Sequence, residues 1–373
     1  MISTSGVFMS CVPPQFVAEP LSQQLSTAPP LRTGARAESS ALELTLRALR
    51  PLLARPELTE LCINRPGEVF IETNAGWQRE SLPFADLDWC RRLAKLVANS
   101  TAQRIDEESP LLSASLPTGE RIQIVLPPAT TPGTVAITIR RPSDAIWSVQ
   151  ELGQRGLFNR CVPATNALDE TEQMLLKLHE AGEFEEFLRT AVRARKNIIV
   201  SGPTGSGKTT FTKGLILEIP PEERLVTIED AQELVLDRHP NSVRLYYSKD
   251  GQGLARVLPK QLLESCLRMR PDRILLAELR SDEAYYYLRN VNSGHPGSIT
   301  SVHASSAQLA FEQLMLLVKE SPGGRDLARE DIKSLLYMLV DVVVQFGVDR
   351  HERFVREIWY APDRKRSHLA AAH

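Results

Sequence analysis

The stretch KNIIVSGPTGSGKTT, residues 196–210, decides the fold of this chain. A short apolar strand leads into a glycine, four further residues, and then glycine, lysine and threonine, which is the pattern of a loop that binds nucleotide phosphates. A helical stripe of Phe211, Leu215 and Ile216 follows. Because a preceding strand and a following helix are the context that this motif requires, we prefer a phosphate-binding loop to an incidental glycine-rich turn.

Each part of the loop suits a polyphosphate. Small residues let several backbone N–H groups approach the anion closely, and the next helix directs its positive dipole end toward it. Lys208 is predicted to follow the β- and γ-phosphates, while Thr209 places its hydroxyl on Mg²⁺. The predicted nucleotide-binding residues are Gly202, Pro203, Thr204, Gly205, Ser206, Gly207, Lys208, Thr209 and Thr210.

Two apolar strands end in carboxylates that could serve hydrolysis. The reaction needs one group that orients or deprotonates water and another that holds the metal. The apolar segment 273–277 is followed directly by Glu278. A second strand ends in Glu229 and Asp230, with Glu233 one turn later. We predict that Glu278 acts on the water and that Glu229 or Asp230 supports Mg²⁺. The reverse assignment of the two sites remains open.

Length and composition exclude several classes of protein. The 373 residues suffice for two domains, and a net charge of −2 gives no overall preference for nucleic acid or anionic membrane. No apolar run approaches the roughly twenty residues that span a bilayer, so we expect a cytoplasmic protein. Five widely spaced cysteines are expected to be reduced thiols, without zinc or disulfides. They are Cys11, Cys62, Cys90, Cys161 and Cys266.

The distribution of prolines and polar residues predicts the domain boundaries. Residues 1–40 are rich in Ser, Thr, Pro, Ala and Gln and are expected to form a mobile leader. Residues 41–142 are expected to form an α+β domain, and the Pro- and Gly-bearing segment 143–165 a flexible linker. Residues 166–373 alternate strands and helices, which implies a doubly wound sheet with its ligand at the carboxyl ends of the strands.

The spacing of apolar residues predicts individual helices and strands. In the first half, a helix is predicted over 42–53, a hairpin around the turn 64–67, and a helix capped by Asp86 or Asp88. Strands are expected at 121–126 and 135–139. In the second half, a helix is predicted over 170–195, and strands at 225–228, 242–246, 274–277, 298–302 and 340–346.

Four motifs together resemble a known family. They are GPTGSGKTT at 202–210, TIEDAQEL at 227–234, RMRPDRILLAELR at 268–280 and GHPGSITSVHA at 294–304. In this order they are similar to the hexameric traffic ATPases of bacterial type IV secretion systems, the eleventh VirB component and its relatives. The resemblance extends over about residues 42–360. One departure is Ala277, which stands where the family often has glycine.

The resemblance implies a fold and a set of roles. The fold is an α/β, RecA-like P-loop ATPase domain preceded by a smaller α+β domain, with ATP and Mg²⁺ as cofactors and nucleotide between the two domains. Six subunits form a ring, and His303 senses the γ-phosphate. Arg121 and Arg140 of the first domain close over the nucleotide, with Arg104 a weaker candidate. The implied partners are inner-membrane secretion components, including other secretion ATPases, which hold the protein peripherally at the membrane.

Three alternatives remain from the sequence. A type II secretion or type IV pilus ATPase belongs to the same superfamily, although the chain has no tetracysteine insert. A nucleic-acid motor would use the basic cluster of Arg189, Arg193, Arg195 and Lys196, yet helical spacing favours a solvated face and no direct nucleic-acid contact. A small-molecule kinase lacks a recognisable acceptor pocket.

Overall fold

The computed structural model describes residues 40–143, 145–163, 165–248, 253–281, 283–350 and 352–371. The predicted leader therefore lies outside the described residues, except for Ser40. The fold presented below is that of residues 41–373, which form a compact unit of their own.

The first part of this unit is built around an antiparallel sheet of six strands. Its elements are α1 (Ala41–Leu46), α2 (Arg50–Leu53), β1 (Glu60–Ile63), β2 (Gly67–Thr73), β3 (Gly76–Leu82), α3 (Leu87–Ser100), β4 (Leu111–Ser115), β5 (Arg121–Val125) and β6 (Ala136–Arg140). The strand order is β3-β2-β1-β6-β5-β4. The predicted hairpin is confirmed as β1 and β2, and Asp86 caps α3 by accepting the Trp89 N–H at 2.7 Å.

Two predictions for this part need correction. The helix predicted over 42–53 is divided into α1 and α2, and α2 begins at Arg50 with Pro51 in its first turn, where a proline ring fits better than in a helix interior. Strands β3 and β4 were not predicted. β3 is an edge strand of largely exposed polar residues, so the alternation of apolar and polar positions is weak there.

The second part is an α/β arrangement, as predicted. Its elements are α4 (Val149–Gln154), α5 (Glu170–Glu180), α6 (Phe184–Arg193), β7 (Ile198–Ser201), α7 (Lys208–Leu217), β8 (Leu225–Glu229), β9 (Ser242–Tyr246), α8 (Pro259–Cys266), β10 (Arg273–Leu276), α9 (Glu283–Val291), β11 (Ile299–Val302), α10 (Ala307–Glu320), α11 (Arg329–Leu339), β12 (Val342–Asp349), β13 (Glu352–Tyr360) and α12 (Pro362–Ala371).

The strands of this part form two neighbouring groups. One has the order β10-β8-β9 and is parallel, and the other has the order β11-β7-β12-β13 with only β13 antiparallel. The Leu279 N–H donates to the Ser301 carbonyl at 2.8 Å, which places β10 beside β11. All the parallel strands therefore end at the same edge of one layer, hereafter the carboxyl edge.

Apolar side chains alternate between the two faces of this layer. Ile199 and Val226 face a core that includes residues of α8 to α11, whereas Ile198, Val200 and Leu225 face a second core with α5 to α7. Helices thus cover both faces, which confirms the doubly wound arrangement. This packing holds the parallel strands rigidly, so that the loops at the carboxyl edge are positioned by buried structure.

Three features of this part differ from the sequence-based expectation. The helix predicted over 170–195 is broken at Gly182, which has a φ of +75° and ends α5. The edge strand β13 was not predicted, because most of its residues are exposed and apolar alternation is lost. The predicted linker contains the short helix α4, stabilised by reciprocal hydrogen bonds between Ser148 and Glu151.

Polar contacts join the two parts of the unit. Arg224, fully buried just before β8, donates to Asn64 Oδ1 at 2.7 Å and to the Met269 carbonyl at 2.9 Å. Arg270, just before β10, pairs with Glu72 at 2.5 Å. Because Arg224 and Arg270 precede their strands, these contacts lie at the edge of the parallel layer opposite the carboxyl edge, hereafter the amino edge.

Candidate functional site

The phosphate-binding loop lies between β7 and α7 and depends on its glycines. Gly205 and Gly207 have φ angles of +75° and +96°, a region that disfavours any residue with a side chain. Gly202 is restricted by packing as well, because a Cβ there would lie 2.7 Å from Phe346 Cβ. The loop therefore follows a fixed path with the N-terminus of α7 behind it, which suits an anion.

Lys208 lies folded over this loop. Its side chain is buried, and Nζ donates to the carbonyl oxygens of Gly202 at 2.8 Å and Pro203 at 3.0 Å. Nζ is also 3.4 Å from His303 Nδ1. Burial lowers the pKa of the Lys208 ammonium, while the nearby Glu278 carboxylate opposes this shift. The cation is thus held at the loop surface by neutral partners, which a phosphate can replace.

Glu278 and His303 meet beside Lys208. β10 and β11 are neighbours, so residues that follow their carboxyl ends lie close together. His303 Nε2 is 2.5 Å from Glu278 Oε1, a buried oxygen that has no other polar partner among the described residues. The other oxygen, Oε2, pairs with Arg280, which also donates to Asp230 at 3.1 Å. The four side chains form a charged cluster next to the loop.

Glu229 has a different environment, although it also ends a strand of the layer. It is fully buried, and Oε1 accepts from Thr227 Oγ1 at 2.7 Å. Oε2 accepts the backbone N–H groups of Glu233 and Leu234, each at 2.9 Å. Arg244 donates to both oxygens, at 3.2 and 3.4 Å. The protein itself therefore occupies both oxygens of Glu229, which leaves this carboxylate poorly placed to bind a metal.

A second carboxylate lies close to the predicted metal-binding hydroxyl. Thr209 Oγ1 donates to Glu233 Oε2 at 3.4 Å, and both side chains belong to exposed residues. The turn that holds Glu233 here is fixed by the hydrogen bond from its N–H to Glu229. The sequence contained this signal, since Glu233 follows the acidic strand end by one turn.

The structure does not bring Arg121 and Arg140 to the loop of their own chain. They are cross-strand partners, and Arg140 Nε is 3.5 Å from Glu60 Oε1. Glu60 in turn is opposite Glu72, the partner of Arg270 at the amino edge. The phosphate loop lies at the other edge, about 13–17 Å away across strands of four or five residues.

Within one chain these arginines lie away from the loop, and their role over the nucleotide stays a prediction. None of the hydrogen bonds or ion pairs among the described residues joins Arg121 or Arg140 to the loop. Arg104 is paired with Asp106 and Glu108 instead.

The basic cluster that suggested a nucleic-acid site is paired with carboxylates. Its partners are Glu185, Glu186 and Glu218 for Arg189, Glu218 for Arg193, Glu223 and Asp272 for Arg195, and Glu172 for Lys196. A patch that binds phosphates of nucleic acid needs cations that are not already neutralised. The cluster does not offer such a surface.

Three properties of the described residues concern disulfides, metal binding and membrane insertion. The cysteines in this part of the chain are free thiols, and Cys62, Cys90 and Cys266 are buried. No group of three His, Cys, Asp or Glu side chains is arranged to hold a metal within the described ranges. Among the helices described here, none combines the length and apolar character needed to cross a bilayer.

Sequence reasoning missed the residues that hold the strand end at Glu229. Arg244 lies on the neighbouring strand β9 and reaches Glu229 across the layer, and Thr227 supplies a hydroxyl from two residues earlier. The alternation of β9 would have placed Arg244 on the opposite face from its apolar neighbours, but not beside a particular carboxylate. The contact depends on the pairing of β8 with β9.

The fold and the site define a P-loop nucleoside triphosphatase with a doubly wound core. Residues 45–346 match the sequence profile of the type II/IV secretion system protein family. The chain belongs to this family, among the type IV secretion ATPases of the VirB11 kind.

Individual relatives support the assignment to the type IV branch. VirB11 of Bartonella quintana (strain Toulouse) is 48% identical over 342 residues, covering 88% of this chain and 96% of the relative. PtlH of Bordetella pertussis (strain Tohama I / ATCC BAA-589 / NCTC 13251) is 42% identical over 326 residues, covering 86% and 95%. The crystal structure of the Brucella suis VirB11 ATPase in complex with sulphate is 47% identical, with a TM-score of 0.82, covering 87% of this chain and 99% of that structure.

Proposed function

We propose that this chain hydrolyses ATP with Mg²⁺ and that the cycle drives assembly of, or transport through, a bacterial type IV secretion system. The observation that carries the proposal is the meeting of Lys208, His303 and Glu278 beside the phosphate loop. A cation for the phosphates and a carboxylate for water are thereby held at one edge of a rigid layer. The type IV relatives favour this system over type II secretion or pilus motors.

The site residues take the following roles in this proposal. Glu278 orients or deprotonates the attacking water, because Oε1 is buried beside the loop and its one polar partner among the described residues is the His303 ring. His303 senses the γ-phosphate through its position between Lys208 and Glu278. Thr209 contacts Mg²⁺ directly, with Asp230 or Glu233 acting through water. Glu229 positions this strand end, a revision of its predicted role as a metal ligand.

Arg121 and Arg140 act on a neighbouring subunit in this proposal. They lie at the amino edge of their own chain, so a homo-hexameric ring is needed to bring them to a nucleotide. Positive charge supplied there would stabilise the phosphates as the bond to the γ-phosphate breaks. The segment 143–165 would let residues 41–142 move against residues 166–373 during the cycle.

The cellular setting is the remaining part of the proposal. The protein would act at the cytoplasmic side of the inner membrane, held there peripherally by secretion components that include other secretion ATPases. Direct contact with nucleic acid is not expected, in keeping with the paired cations of α6.

Loss of the Lys208 ammonium tests ATP hydrolysis. We expect Lys208→Ala to reduce phosphate release to background, because the ammonium that binds the phosphates is lost. The protein should stay folded, because the hydrogen bonds of the Lys208 side chain go to neutral partners and alanine is a good helix former at the start of α7. Lys213→Ala on the same helix is the matched control. Phosphate release and circular dichroism should be measured for both. Normal turnover by folded Lys208→Ala would refute the proposal.

Mixing of variants tests the contribution between subunits. If Arg140 acts on a neighbour, Arg140→Ala and Lys208→Ala should each be inactive or weak alone, yet a mixture should recover part of the activity. In such a ring, some intact nucleotide sites lie next to an intact Arg140. Recovery should vanish at concentrations where light scattering detects only monomer. Wild-type turnover by Arg140→Ala would contradict this role.

A further inference from the structure

Arg353 on the edge strand β13 lies against the phosphate loop. Its Cδ is 3.8 Å from the position that a Cβ on Gly207 would occupy, which is ordinary van der Waals contact. Neither sequence motifs nor the roles described above include this arginine. Its aliphatic stem therefore crosses the loop directly before Lys208, where α7 begins.

The strand register explains why Arg353 faces the loop. Phe346 on β12 packs against Gly202 and makes an edge contact with Phe211 of α7, with ring centroids 5.1 Å apart. Val355 is the cross-strand partner of Phe346 and shares its face of the sheet. Side chains two residues apart on a strand point to the same face, so Arg353 also projects toward α7.

Arg353 lies on the opposite side of the phosphate loop from the cluster that contains Glu278 and His303. The strand order is β11-β7-β12-β13, so His303 lies on one side of β7 and the β12–β13 hairpin on the other. Lys208 Nζ approaches His303, which marks the side that receives the terminal phosphate. Because a triphosphate is a linear chain, an α-phosphate that extends away from His303 reaches the hairpin side.

The guanidinium of Arg353 is available for a ligand. Arg353 is exposed, and no hydrogen bond or ion pair among the described residues involves its side chain. Arg356 on the same strand differs, because it lies over the Phe354 ring at 5.9 Å and close to Gly347 on the other face. An exposed cation next to a phosphate-binding loop is well placed for a charge-assisted hydrogen bond.

We propose that Arg353 binds the α-phosphate of the nucleotide held by its own chain. This inference rests on the proposed function, since it requires nucleotide in the loop. Arg353 would be a binding residue shared by ATP and ADP, whereas His303 and Glu278 act at the γ-phosphate. The β12–β13 hairpin would then bind the nucleotide both before and after hydrolysis.

Calorimetry with magnesium ADP and with inorganic tripolyphosphate tests this role. We expect Arg353→Ala to weaken the binding of both ligands about 10-fold or more, because one charge-assisted hydrogen bond is lost from each. Arg353→Gln should behave alike and serves if the alanine variant fails to fold. Arg356→Ala is the matched control and should bind both ligands like the wild type.

The outcomes separate this inference from the proposed function. Unchanged ADP affinity in a folded Arg353 variant would overturn the inference while leaving ATP hydrolysis intact. Weaker ADP binding with unchanged tripolyphosphate binding would place Arg353 on the ribose or base, and would overturn the phosphate assignment. Failure of the wild-type chain to bind magnesium ADP or ATP would instead defeat the proposed function itself.

Discussion

Glu229 and Glu278 follow neighbouring strands of the same layer, yet the protein treats them differently. Glu229 ends β8 with both oxygens hydrogen-bonded to Thr227, Arg244 and two backbone N–H groups. Glu278 follows β10 with Oε1 buried, and His303 is the one polar partner of that oxygen among the described residues. The sequence pattern of an apolar strand followed by an acid is the same at both places.

This difference distinguishes a carboxylate that stabilises the fold from one that is available for the reaction. A buried carboxylate whose oxygens are all satisfied stabilises the fold and has little capacity left for water or metal. A carboxylate oxygen that contacts a single imidazole can still accept a hydrogen bond or a proton from water, so it is a candidate for a role in the reaction. We therefore predict that the reaction takes place at the end of β10 and that the end of β8 supports the site.

The largest expected effect is that of Glu278→Gln. We expect turnover to fall at least about 100-fold, since the amide cannot accept a proton from water. Binding of magnesium ATP should persist, because Lys208 and the loop are intact. Single-turnover phosphate release and calorimetry would measure the two properties. Turnover within a few-fold of the wild type would show that the reaction does not need Glu278. Glu278 and Glu229 would then not differ in the way proposed.

The next effect is that of Glu229→Gln on stability. An amide turns its NH₂ toward some of the donors that now surround the carboxylate and leaves Arg244 without its charged partner. We expect the free energy of unfolding to fall by about 3 kcal/mol. Denaturant titration would measure it, and Glu233→Gln, at an exposed residue, is the matched control. A stable Glu229→Gln protein with lost turnover would exchange the roles of the two carboxylates.

A third carboxylate, Glu60, lies at the amino edge, and its titration is expected to have the smallest effect of the three. Burial raises its pKa from 4.5 to about 7, and Arg140 opposes the shift. The folded state therefore binds more protons than the unfolded state between these values, so stability should fall as the pH rises from 4.5 through 7.

The shift corresponds to at most about 3 kcal/mol, and Glu60→Gln should abolish this part of the pH dependence. Thermal unfolding of both proteins at pH 5 and pH 8 would measure it, with Glu57→Gln as the control. Equal slopes in the wild type and Glu60→Gln would show that Glu60 titrates normally in the folded protein.

Most of the architecture could be predicted because local patterns carry it. The phosphate loop needs glycines and a lysine at set spacing, and the buried strands β7, β8 and β10 are mostly apolar. The edge strands β3 and β13 escaped prediction, since an exposed strand lacks the apolar alternation that marks a half-buried one. The helix breaks before α2 and at Gly182 were not predicted, although Pro51 in the first turn of α2 and Gly182 after α5 are residues typical of helix ends.

The amino-acid sequence by itself determined the loop at 202–207, the doubly wound class and the acidic strand ends, because these depend on the conformational limits of glycine and on apolar spacing along the chain. Tertiary structure alone decided that Glu278 keeps an oxygen in contact with His303 while Glu229 is fully hydrogen-bonded, which edge Arg140 occupies, and that Arg353 lies against the loop. Those properties depend on strand pairing, which brings together side chains far apart in sequence.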